Sequence, residues 1–167
     1  MSAFVCRLAA TAVTLGLAAS LSTPASAELL AHKDLSLDTA VAIATTAAAT
    51  CKAQGYRVSV HVVGRNGEVL VALRGDNASP HTMENSMRKA YTARTFRVPS
   101  GEMVKRLKEN PQFAAVFLTN VIATQGALPI TVGDDVIGAV GVSGAPGGDK
   151  DEACAKAGLD KVADQLK

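Results

Sequence analysis

Hydrophobic and polar residues recur along the chain with the periods of helices and strands. Small apolar residues follow helical spacing over 37–54, and Ser36 stands where it can cap that helix. Valines then alternate with polar residues over 56–63, which is the period of a strand. Asn66-Gly67 predicts a hairpin turn into a return strand over 69–73, because both residues tolerate positive φ.

The second half of the chain continues the mixture of helices and strands. Ser79-Pro80 is typical of a helix start, with Ser79 as the cap and Pro80 in the first turn. The predicted elements are helices over 79–96 and 100–108, strands over 121–124, 128–132 and 136–142, and a helix over 149–166. Short links between strands favour an antiparallel sheet, so the pattern predicts an α+β domain.

The first 27 residues have a different composition from the rest. They contain one charged residue, Arg7, followed by the apolar run Leu8–Leu21, which is shorter than the about 20 residues of a membrane-spanning helix. Ala25-Ser26-Ala27 fits the small-x-small cleavage site of a secretory signal peptide. We therefore expect residues 1–27 to be removed, leaving 28–167 as one periplasmic or secreted domain with no membrane-spanning segment.

Composition and charge exclude several classes of protein. With 48% hydrophobic and 19% charged residues, the 167-residue chain is too apolar to be disordered. Its net charge of +2 falls to about +1 without Arg7, which excludes a basic nucleic-acid binder. The stretch 81–108 is nevertheless locally basic, which indicates either a solvated helix face or a field that attracts a small anionic ligand.

Two cysteines, Cys51 and Cys154, remain after the expected cleavage. An even number of cysteines in an oxidising compartment favours a disulfide. The alternative is a pair of buried free thiols.

Motifs for catalysis are scarce, and one histidine is well placed to bind a ligand. The sequence contains no His-x-x-x-His, Cys-x-x-Cys or Gly-x-Ser-x-Gly pattern, so it favours a binding protein over an enzyme. His81 stands at a predicted helix start, where the helix dipole disfavours the imidazolium and keeps the ring available to a metal. Met83 adds an adaptable apolar surface nearby. The alternative is a surface histidine beside a helix cap.

A glycine-rich turn over 143–148 connects the last strand to the last helix. Backbone N–H groups in such a turn can hold an anion. The turn lacks the pattern of a phosphate-binding loop, and this favours a tight connection instead.

Several segments together resemble the GlcG/HbpS family. They are Tyr56–Val63 with Asn66–Val69, the helix segment Arg88–Ala93, the strand segments Leu128–Ile130 and Val136–Gly148, and the start of the last helix, Asp151–Leu159. The resemblance extends over residues 35–159. It implies a profilin-like α+β fold, with a five-stranded antiparallel sheet and helices on both faces.

The same resemblance implies that the chain binds haem as an exported homo-oligomer. Its central helix motif carries over to Lys89, Tyr91 and Thr92, and His81 in the preceding segment becomes the expected iron ligand. Arg88 and Lys89 are expected at the propionates, because cationic side chains form strong hydrogen bonds with carboxylates. The full expected haem site is His81, Thr82, Met83, Arg88, Lys89, Tyr91 and Thr92.

Two other functions are compatible with the sequence. The basic helix and the glycine-rich turn could form the pocket of an enzyme, or of an accessory protein, that acts on a small organic acid as in glycolate use. The chain could also be an oligomeric module that binds a partner protein. A Glu-x-x-Glu iron site of some relatives is not expected, because Glu84 is followed by Met87 where the second acid would stand.

Overall fold

Helices and strands alternate in the part of the chain that the structure describes, residues 28–167 of a computed structural model. The predicted signal peptide lies outside these residues. The helices are α1 (Leu37–Ala53), α2 (His81–Phe96), α3 (Ser100–Glu109) and α4 (Gly148–Lys161), and the strands are β1 (Ser59–Val63), β2 (Val69–Arg74), β3 (Ala127–Val132) and β4 (Asp135–Ser143). Two short 3-10 helices span Pro111–Val116 and Ala163–Gln165. Residues His32–Lys167 form one compact unit.

The four strands form one antiparallel sheet in the order β2-β1-β4-β3. The predicted hairpin connects β1 and β2, and the N–H of Gly64 donates to the carbonyl of Glu68 across it. Gly67 has a φ of +81° in this turn. Asn66 does not adopt positive φ, so that part of the turn prediction is wrong. The register of β1 with β2 shifts between Val62 and Val63, where β1 has a bulge or irregularity.

Helices cover both faces of the sheet, as the resemblance implies. On one face α1 and α4 pack against each other and against the strands. The valines of β1 that point this way, Val60 and Val62, are fully buried in the main apolar cluster. The alternate residues, Ser59 and His61, point to the other face, where α2 crosses β1 and β4.

Cys51 of α1 and Cys154 of α4 form a disulfide, with Cα atoms 5.6 Å apart. This confirms the predicted pairing and excludes the two free thiols. Both cysteines are fully buried in the main apolar cluster, so the bond joins the two helices inside the core.

The α+β class is confirmed, but the described sheet has four strands where five were expected. Residues 121–124, expected to form the fifth strand, have no regular secondary structure. The N–H of Ile122 donates to the hydroxyl of Thr92 at 2.9 Å, so a side chain of α2 takes the place of a neighbouring strand. The profilin-like five-strand arrangement is therefore not reproduced here.

Helix α4 also ends earlier than the predicted 149–166. It ends at Lys161, and the chain continues into the short 3-10 helix instead. Among residues 28–167, no helix has both the length and the apolar character needed to cross a bilayer.

Candidate functional site

Helix α2 places a row of polar side chains against the sheet. Thr82 and Ser59 share a hydroxyl–hydroxyl hydrogen bond of 2.8 Å. One turn further on, Ser86 Oγ lies 2.8 Å from Nδ1 of His61. Burial lowers the pKa of His61, because the charged imidazolium would lose its hydration there. This row is built from groups that satisfy one another, and it fixes which side of α2 faces the sheet.

A buried ion pair continues the same row. Lys89 Nζ donates to Asp151 Oδ2 at 2.8 Å and to the carbonyl of Val142 at 3.0 Å. The other oxygen of Asp151 accepts the N–H of Ala145 at 3.0 Å. Burial raises the pKa of Asp151, and the Lys89 ammonium opposes that rise. The pair connects α2, β4 and α4.

Gly126 explains how the chain can close over this pair. Its φ is +130°, and a Cβ at this position would lie 2.7 Å from Lys89 Nζ and 2.8 Å from the Cβ of Asp151. Both the positive φ and the short contacts exclude a side chain here, so glycine is required for the close approach of the backbone to the ion pair.

Three of the expected haem-site residues are thereby placed inside the protein. Thr82, Lys89 and Thr92 are buried, and each polar group has a protein partner. Lys89 was expected at a haem propionate, but its carboxylate partner in the structure is the protein's own Asp151. Its ammonium is therefore not available to a ligand at the surface.

The outer side of α2 carries an open cleft of about 300 Å³ lined by His81, Glu84, Asn85 and Arg88. His81 is exposed at the helix start, and Arg88 lies two turns further along the same side. The structure therefore brings together the two residues that the sequence analysis assigned to iron and to propionate.

Arg88 is held in place but retains free hydrogen-bonding capacity. One terminal nitrogen donates to the carbonyl of Val121 at 3.1 Å, and the other lies 3.4 Å from Glu84. Its Nε is buried and has no hydrogen-bond partner among the described residues. Asn85 is fixed by a 2.9 Å hydrogen bond from its amide to Ser143.

The remaining predicted residues do not join this cleft. Tyr91 lies beside the β1–β2 turn, in a separate small cavity with Arg65 and Arg94. Met83 is half-buried and is not among the residues that line the cleft. The sequence analysis did not select Asn85, although its spacing of four residues from His81 places both on one side of a helix.

The described residues contain no group of three or more metal-ligating side chains. His81 accordingly belongs to no such group within residues 28–167. In the glycine-rich turn the N–H of Ala145 donates to Asp151 and is therefore not available to an anion.

The fold is an α+β domain with an open cleft on the outer side of its central helix. The chain belongs to the HbpS-like family: the family's model, described as haem degrading protein HbpS-like, matches residues 35–160. The chain is 38% identical to HbpS, whose crystal structure aligns with a TM-score of 0.76 over 80% of this chain and 93% of that one.

Two further relatives extend the comparison. The crystal structure of a PduOC–haem complex aligns with a TM-score of 0.69 at 20% identity, over 76% of this chain and 94% of that one, and shows the shared fold alone. An uncharacterized 15.0 kDa protein of Citrobacter freundii, from the dhaT-dhaS intergenic region, is 35% identical over 86 residues. That alignment spans 50% of this chain and only 61% of the relative.

Proposed function

We propose that this protein binds haem at the outer cleft of α2 and that it acts as a binding protein. The observation that carries the proposal is the shared cleft of His81 and Arg88. Membership of a family described by haem degradation supports it, as does a haem complex of a protein with the same fold. Bound haem would supply the redox and ligand chemistry of its iron.

The residues of the cleft fit the two ends of a haem group. The imidazole of His81 is exposed at the cleft, and histidine is a common axial ligand of haem iron. The guanidinium of Arg88 lines the cleft, where a cationic side chain can donate charge-assisted hydrogen bonds to a propionate.

The shape of the cleft favours binding over catalysis. At about 300 Å³ it lies at the lower end of the range for ligand pockets, and it is open to solvent. Catalysis on a bound group generally requires a site that excludes water. An open cleft suits sequestration, sensing or transfer of haem, and we assign no catalytic residue.

Export of the mature chain is part of the proposal. The disulfide between Cys51 and Cys154 supports it, because such bonds persist mainly in oxidising compartments. The predicted signal peptide over 1–27 supports it independently. We therefore propose a periplasmic or secreted protein.

Self-association is also proposed. Leu118 is 74% exposed, and Val116 close to it is 41% exposed, so the segment after α3 offers an apolar surface to another molecule. A second copy of the chain is the occupant that the family resemblance favours. Light scattering after size-exclusion chromatography tests this, and a strictly monomeric protein would contradict it.

Titration with hemin tests the proposed haem site. The chain from residue 28 onward is titrated at micromolar concentration while the Soret band is followed. We expect a saturable one-to-one shift, weakened at least tenfold in His81→Ala. His32→Ala is the matched control, because His32 is also exposed but lies outside the cleft, and it should bind as the wild type does.

Each alternative has its own outcome in this experiment. An unchanged Soret shift in His81→Ala would support haem binding but would show that a residue other than His81 is the iron ligand. No saturable shift would contradict haem binding and favour a small organic acid as the ligand of the cleft.

A further inference from the structure

A second cavity lies on another side of α2, against the β1–β2 turn. It has a volume of about 120 Å³ and is lined by Arg65, Asn66, Gly67, Tyr91, Arg94 and Thr95. It shares no lining residue with the cleft of His81 and Arg88. Any ligand held here is therefore bound by a different set of side chains.

The half-buried Arg94 has no protein acceptor among the described residues that line this cavity. It forms no hydrogen bond or ion pair within residues 28–167, and its Nε is buried without a partner. Burial lowers the pKa of Arg94, and the positive charges of Arg97 and Arg65 lower it further. A buried donor without an acceptor is costly, and a positive charge repelled by its neighbours adds to that cost.

The neighbouring carboxylates are already engaged. Both oxygens of Asp135 accept hydrogen bonds from Arg65, at 3.1 and 2.8 Å, so Asp135 favours the charge of Arg94 only at a distance. Asp34 accepts from Arg65 Nε at 3.0 Å. Glu68 accepts the N–H of Asn66 at 2.8 Å and so closes the turn. Arg65 is thus paired, and Arg94 is the cation that lacks an acceptor.

Tyr91 supplies a second donor. A Cβ at position 67 would lie 2.7 Å from the Tyr91 ring, so the glycine allows the turn to rest directly on that ring. The Tyr91 hydroxyl forms no hydrogen bond to any other described side chain or backbone group. The cavity is therefore lined by Tyr91 and Arg94, and neither the phenolic O–H nor the guanidinium has a hydrogen-bond partner among the described residues.

We propose that this cavity binds a small oxyanion, a carboxylate or a phosphate, on Arg94 and Tyr91. A guanidinium offers two parallel N–H donors that match two oxygens of such a group. A volume of about 120 Å³ holds roughly four water-sized groups, which admits phosphate or a carboxylate of two or three carbons. A porphyrin is far too large, so this site is independent of the proposed haem cleft.

The test uses inorganic phosphate and sodium acetate as separate probes, titrated calorimetrically into the purified protein at low ionic strength. We expect saturable binding of at least one anion, weakened at least tenfold by Arg94→Gln and about threefold by Tyr91→Phe. The anion that binds more tightly identifies the class of ligand. Arg97→Gln is the control, because Arg97 adds charge but does not line the cavity, and it should change affinity less than threefold.

Three results would overturn the proposal. They are unchanged binding in Arg94→Gln, an equal loss in Arg97→Gln, and the absence of saturable binding of either anion at millimolar concentration. Arg94→Lys keeps the charge without the two-donor geometry and should retain intermediate affinity if the protein is folded. Arg94→Gln should bind hemin as the wild type does. Failure of the oxyanion proposal is therefore distinguishable from failure of the haem proposal.

Discussion

The two faces of the sheet are built from different chemistry. Helices α1 and α4 cover one face with apolar side chains and a disulfide. Helix α2 covers the other face with a row of buried polar groups, and the apolar cluster there is limited to Val63, Ala90, Ala93, Ala127 and Ala139. The difference shows that apolar burial stabilises the first face, whereas specific hydrogen bonds orient α2 on the second.

That orientation decides which residues are available to a ligand. Ser86 and Lys89 are held against the sheet, so His81 and Arg88 are turned outward. Polar residues on one helix thus have two roles. Those on the inner side position the helix, and those on the outer side line the cleft that we propose for haem.

The largest expected effect comes from breaking the ion pair of the polar face. Asp151→Ala leaves Lys89 as an unpaired charge in a site where both side chains are 4% exposed. Removing one partner of a buried ion pair leaves the other charge uncompensated and lowers the free energy of unfolding by about 3–5 kcal/mol. Urea unfolding followed by circular dichroism measures the loss.

Asp160→Ala is the matched control for this variant. Asp160 pairs with Lys156 on the same helix, but its side chain is 61% exposed, so little stability should be lost. Equal losses in the two variants would show that the buried pair does not hold α2 in place.

Removing the disulfide tests the apolar face. The bond closes a loop of 103 residues, and the double substitution Cys51→Ala/Cys154→Ala should cost about 2–4 kcal/mol through the larger entropy of the unfolded chain. The urea midpoint should fall while the hemin affinity stays unchanged, because neither cysteine approaches the cleft. A large loss of hemin affinity in the folded variant would contradict the separation of the two faces.

A smaller effect concerns pH and the polar face. Burial holds the pKa of His61 below its ordinary value of 6.5. As the pH falls below 6.5, the unfolded chain takes up the proton before the folded protein does, so stability declines towards the folded pKa and is unaffected above 6.5. Urea midpoints at about pH 7.5 and pH 5.5 measure this decline.

His61→Gln should remove part of the decline, and His32→Gln should leave it as in the wild type. Asp151 is unchanged in all three proteins, so the differences between their slopes isolate His61. Identical slopes for His61→Gln and the wild type would show that the buried imidazole is not responsible.

Local patterns made much of the fold predictable. The β1–β2 hairpin followed from alternation and Asn66-Gly67. Ser79-Pro80 located the start of α2 to within two residues, but the predicted cap is wrong: the helix begins at His81, Pro80 is its N-cap residue and no side chain caps it. The absence of the expected fifth strand could not be predicted from local patterns. The N–H of Ile122 donates to Thr92, 30 residues away, and no local sequence signal indicates that bond.

The candidate site was predictable only in part, for a related reason. Polar residues occupy both sides of α2, so hydrophobic periodicity could not tell which side faces the sheet. Lys89 was assigned to a ligand because its partner Asp151 stands 62 residues further along the chain. His81 and Arg88 line one cleft, because their spacing of seven residues places them on one side of the helix.

Hemin titration of His81→Ala beside Ser86→Ala tests the central claim most directly. Ser86 bonds His61 on the inner side of α2, so its loss should cost about 1–3 kcal/mol of stability and leave the hemin affinity of the folded protein unchanged. We predict that His81→Ala weakens hemin binding at least tenfold with no change in the urea midpoint. Hemin affinity that is unchanged in His81→Ala, or that falls equally in Ser86→Ala, would contradict the assignment of ligand binding to the outer side of the helix.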